Sequence, residues 1–168
     1  MSATLFEYLI RLGDDRLILG HRNAEWCGHG PILEEDIAIA NIALDLTGQA
    51  QRFLDLAGRV EGKGRDADAL AYWREEIQFH NLQLVELPKG DFAFTMMRQF
   101  LFSAWSHFVL DAAAKAPHDD LAGLAAKSQK ENRYHLRHAG EWVVRLGDGT
   151  EESHARAQSA LDELWPWT

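Results

Sequence analysis

The chain has 168 residues, a hydrophobic content of 46% and a formal net charge of -9. That size and apolar content support one folded domain over 1–168 and exclude a disordered chain, and the acidic balance with no dense basic tract excludes a nucleic-acid surface. A single cysteine excludes an intramolecular disulfide, no apolar run is long enough to span a membrane, and the Met-Ser-Ala-Thr start lacks a signal peptide's basic and apolar regions, so a cytoplasmic protein is expected.

The first predicted helix runs from about Thr4 to Cys27, with Leu5, Leu9, Leu12 and Leu19 on one face. Glu7, Arg11, Asp14, Arg22 and Glu25 fall on or near the other, and Gly13 and Gly20 point to a bend or a close approach. Cys27, beside Trp26, reads as small buried filler. The stretch Pro31 to Ala57 reads as one long helix and organises the rest. Ile39, Ile42, Ala43, Leu46, Ala50, Phe53, Leu54, Ala57 and Val60 recur at steps of three and four. Pro31 suits a first helical position, and Glu34, Glu35 and Asp36 complement the positive end of the helix dipole.

After the polar loop Glu61–Asp66, a third helix is expected over roughly Ala67 to Leu87, stopping at Pro88. Asp91 caps a fourth, Phe92 to Lys115. It is apolar nearly all round apart from a ridge of Thr95, Gln99, Ser103 and Ser106, which predicts a central helix. Asp119 or Asp120 opens a fifth helix reaching Leu146, and a sixth starts near Glu151 and runs into Leu164 and Trp165. No strand-like alternation is present, so the expected class is all-α, an antiparallel bundle of long helices joined by short turns. The Trp-rich stop at Trp165-Pro-Trp-Thr168 suggests a chain truncated at its C-terminus.

Two clusters carry candidate chemistry. Glu131, His135 and His138 sit at i, i+4 and i+7 on the fifth helix, a donor set for zinc or iron; the plainer reading is a solvated polar stripe. On the third, Glu76 and His80 are an i, i+4 pair, and the plainer reading there is a surface pairing. The alternative is ligand contact, with Arg74 for a phosphate and Phe79 as a flat apolar face. A carboxylate-bridged di-iron bundle needs Glu on two helices and Glu-x-x-His on two others. Here Glu131 is followed at three residues by Tyr134, and Asp45 by Gly48, so both histidine slots are filled by other residues. The layout is that of a di-iron protein with the wrong side chains.

Several blocks resemble one family: Arg11-Leu-Gly-Asp14, Glu25-Trp-Cys-Gly28, the run Ala40 to Ala50, Leu84-Val-Glu86 and Arg133-Tyr-His-Leu-Arg137. They look like the structural subunits of bacterial phenylacetyl-CoA epoxidases, and the similarity runs from about Tyr8 to Trp165. The resemblance implies a ferritin-like bundle lacking an intact di-iron ligand set, with no cofactor of its own. It implies a homologous di-iron catalytic subunit and further epoxidase components as partners, and phenylacetyl-CoA as substrate. It also implies substrate contact at Ile77, Gln78, Phe79 and His80. A homodimer is expected for the chain alone. The alternatives are a metal-binding ferritin-like oxidoreductase using Glu131, His135 and His138, and a stand-alone acyl-CoA-binding bundle.

Overall fold

A computed structural model describes residues 2–168; Met1 lies outside them. The order is α1 (Ser2–Ala24), α2 (Leu33–Glu61), α3 (Ala67–Tyr72), a 3-10 turn (Glu76–Gln78), α4 (Gln83–Glu86), α5 (Phe92–Ala113), α6 (Asp119–Gly147), α7 (Glu151–Leu164) and a last 3-10 turn (Trp165–Trp167). No strand occurs among the described residues, so the all-α expectation holds. The helices gather into two compact units, the first ending at Glu86 and the second covering Leu87–Thr168.

In the first unit α1 and α2 pack antiparallel. A Cβ added at Gly13 would lie 2.7 Å from Leu54 Cδ2, and one at Gly20 2.9 Å from Thr47 Oγ1. Close approach, not a bend, is therefore what these glycines provide. Leu9, Leu12 and Leu19 of α1 and Ile39, Ile42, Leu46, Phe53 and Leu54 of α2 are all fully buried. Helix α1 stops earlier than the sequence suggests, at Ala24, and the chain continues in short turns in which Cys27 N–H donates to Ala24 O. Cys27 is consequently exposed, not buried filler. Helix α2 begins at Leu33, after an extended Ile32, so Pro31 stays outside it. Asp36 reaches back instead: its carboxylate accepts from Gly28 N–H and Gly30 N–H at 3.1 and 3.0 Å, which holds its pKa below the usual carboxylate value. At the far end Gly62, with φ 71°, donates its N–H to Gly58 O and closes the helix.

In the second unit α5 and α6 are also antiparallel. Phe92 packs edge-on against Trp142 at 4.9 Å, and Asn132 Nδ2 donates to Ser103 O at 2.9 Å. Asp91 caps α5 through Phe94 N–H, and His118, not Asp119 or Asp120, caps α6 through Leu121 N–H. Helix α5 is less enclosed than the central position expected of it. Its Thr95–Gln99–Ser103–Ser106 ridge is fully buried, whereas Phe108 is 73% exposed and Trp105 37% exposed. The inward ridge is satisfied internally: Gln99 Nε2 donates to Ser103 Oγ at 2.9 Å, and Thr95 Oγ1 to Lys89 O at 2.8 Å. Small hydroxyl side chains let the helix backbones come close, and hydrogen bonding removes the penalty for burying them.

Candidate functional site

The third predicted helix is the main local correction. It ends at Tyr72, and residues 73–82 hold only the short turn Glu76–Gln78 before α4 resumes at Gln83. The cause lies on α1. Asp14, predicted on or near a polar face, and its neighbour Asp15 are buried at 0% and 3% exposure. Asp14 Oδ2 accepts from Arg74 at 3.0 Å and from His80 N–H at 2.9 Å, and the other guanidinium nitrogen bonds Asp14 Oδ1. Asp15 Oδ1 accepts from Leu82 N–H at 2.7 Å. These carboxylates take the main-chain donors that a continuing helix would have used. The bend is set by Glu75 and Gln78, which form a reciprocal cap, with Gln78 Oε1 accepting from Glu75 N–H at 2.7 Å.

The four residues expected at the substrate fall on this segment. Ile77 is 90% exposed, Gln78 and His80 are exposed, and Phe79 is half-buried. Phe79, with Ile18, Arg22, Glu76, Asn81 and Glu86, lines a groove of about 470 Å³. The Arg74 guanidinium lies 4.2 Å from the Phe79 ring centroid. Arg74 is not available for a phosphate: it also donates to Leu70 O and, at 3.1 Å, to Gln78 O, and its side chain is only 6% exposed. Glu76 and His80 share no helix, so their i, i+4 relation is lost.

Arg16 follows Asp15 into the interior. Its Nε donates to Gln49 Oε1 at 2.9 Å, its terminal nitrogen to Leu12 O at 3.0 Å, and its guanidinium lies 5.0 Å from the Phe53 centroid. Burial lowers its pKa to about 10, against the pull of Asp15. Burial likewise pushes the Asp15 carboxyl up to about 6, opposed by the Leu82 N–H, Arg16 and Arg11 and aided by Asp14. An unfolded aspartate titrates near about 3.9, so folding favours the protonated form of Asp15. That stability is complete below about pH 4 and lost as pH rises through about 6, a change of about 3 kcal/mol. Asp15→Asn keeps an acceptor for Leu82 and removes the titration. Urea unfolding of variant and wild type should therefore diverge in the variant's favour by about 2–3 kcal/mol between about pH 4 and pH 7; parallel curves would refute it.

The degenerate metal positions lie elsewhere. On α2, Asp45 and Gly48 are half-buried, and an Arg52 guanidinium nitrogen lies 3.4 Å from where a Gly48 Cβ would sit. On α6, His135 is fully buried, Glu131 and His138 are half-buried, and the exposed Tyr134 stacks on His138 at 6.0 Å. Among the described residues no three His, Cys, Asp or Glu side chains form a group able to hold a metal ion, so Glu131, His135 and His138 are not brought together as one.

Sequence reasoning missed Asp14 and Asp15 as organisers. Arg16 was readable, because it stands four residues after Leu12 and three before Leu19 on the apolar stripe.

An all-α bundle of paired long helices, matched over residues 1–168, places the chain in the family of phenylacetic acid catabolic proteins, a ferritin-like family. It is 48% identical over 164 residues to one of the subunits of 1,2-phenylacetyl-CoA epoxidase from Escherichia coli strain K12. That similarity covers 98% of this chain and 66% of the relative, so the chain spans just under two thirds of the relative's length.

Proposed function

We propose that the chain is a non-catalytic structural subunit of a phenylacetyl-CoA ring-1,2-epoxidase, acting in the cytoplasm. Its helices support a homologous di-iron subunit, and Ile77, Gln78, Phe79 and His80 contribute to holding the CoA ester. The observation that carries this reading is the 48% identity to an epoxidase subunit over nearly the whole chain. The donor chemistry supports it. Gly48 offers no donor and has a guanidinium beside it, and Tyr134 is exposed, so these positions do not fit a bridged metal pair. Leu33, Ile37 and Leu44, exposed on one side of α2 at 72%, 53% and 70%, are suitable apolar area for burial against a partner helix.

Co-expression with a candidate di-iron subunit tests the proposal. The two should co-purify, with iron following the partner. About two irons bound by this chain alone would overturn the non-catalytic reading. In the assembled complex, Asp45→Ala should leave oxidation of phenylacetyl-CoA within about twofold of wild type, since the reading gives Asp45 no metal to hold. Abolished turnover with normal assembly would count against it.

A further inference from the structure

We propose that Asp14 is a positioning residue for the ligand-facing segment 75–81, acting through Arg74 and the His80 main chain; the ligand half of this statement rests on the CoA-ester reading above. Burial of apolar side chains does not hold this segment. Tyr72, Trp73 and Ile77 are 67%, 83% and 90% exposed. Polar tethers hold it instead, and three of these hydrogen bonds converge on one carboxylate. Asp14, fully buried on α1, receives both terminal nitrogens of Arg74 and the His80 N–H.

Arg74 passes that constraint outward. One terminal nitrogen also donates to Gln78 O at 3.1 Å, and the guanidinium plane covers Phe79 at 4.2 Å. The turn is thus fixed at its carbonyl and at the aromatic ring that faces the groove. The anchor itself is rigid, because Gly13, next to Asp14, lies against Leu54 of α2. A charge-assisted, two-toothed pair buried from water is strong and directional, which suits it to fixing a loop that lacks a hydrophobic underside.

The test uses Asp14→Asn and Arg74→Gln in the full chain, with amide hydrogen exchange and calorimetric binding of phenylacetyl-CoA. In both variants exchange at His80 and Phe79 should rise about tenfold, while amides between Ile39 and Ala57 stay as in wild type. The dissociation constant for phenylacetyl-CoA should rise about tenfold in parallel. A globally weakened fold would speed both stretches alike and would overturn the proposal, as would unchanged exchange at His80. Faster exchange with unaltered affinity would overturn the ligand half. Should Asp14→Asn fail to fold, Arg74→Gln decides alone, since it leaves Asp14 the His80 N–H. If exchange rises but wild type binds no phenylacetyl-CoA, the CoA-ester reading falls and the hold of Asp14 on the segment stands.

Discussion

Truncation of Phe53 to alanine is expected to remove about 4 kcal/mol of stability, the typical cost for a buried aromatic ring whose neighbours cannot collapse into the gap. Phe53 has 0% exposure in the middle of α2. The ring also does more than fill space. It is the flat surface under the Arg16 guanidinium, 5.0 Å from its centroid, so truncation leaves a buried cation with one fewer neighbour able to stabilise its charge. Arg16 cannot swing outward in response, because Gln49 and the Leu12 carbonyl hold its nitrogens inside. The midpoint of thermal unfolding should fall by roughly 10 °C. A loss below about 1 kcal/mol would mean that α1 and α2 repack freely, contrary to the close approach described above.

Gly58→Ala should destabilise by about 2 kcal/mol, and Gly123→Ala should stabilise by a few tenths to about 1 kcal/mol. Both glycines are helical, and by propensity alone both substitutions would help. The difference is what the new methyl group meets. At Gly58 it would fall 2.0 Å from Arg65 O and 3.1 Å from Arg65 C, backbone atoms of the loop that returns from α2. That loop cannot drift away cheaply, since Asp66 is already committed to capping α3 through Ala69 N–H at 2.8 Å. At Gly123, exposed on α6, nothing lies within 4 Å. Equilibrium urea unfolding of the two variants side by side reads the sign directly. Same-sign changes would show that the packing of α2 against residues 65–66 does not constrain stability.

The helix ends that the sequence made legible are those with local chemistry. Asp91 before Phe92 acts on a backbone group within a few residues, so its effect is visible in the linear order. The apolar stripe from Ile39 to Ala57 was equally readable, because its period of three and four residues is what burial on one side of a helix demands. The failures have a different origin. Residues 73–82 carry helix-compatible side chains, and what breaks the helix is a pair of carboxylates on α1, far back in the chain, a long-range contact with no local sign. Helix α5 misleads for another reason. A helix apolar nearly all round is expected to be central, yet its hydroxyl and amide ridge is turned inward while Phe108 is exposed. The spacing identified the ridge correctly, but spacing alone does not tell inside from outside when the two faces differ so little in polarity.

The inward amide of Asn132, bonded to the Ser103 carbonyl, restricts how α5 and α6 can slide along each other. An all-leucine contact would tolerate displacement by one turn, about 5.4 Å, at modest cost. Here the same displacement would strand a carboxamide in a dry environment at roughly 1–3 kcal/mol. The alignment of this pair is therefore keyed as well as greased: apolar contact supplies attraction, and a buried polar tooth helps to dictate where the two rods come to rest.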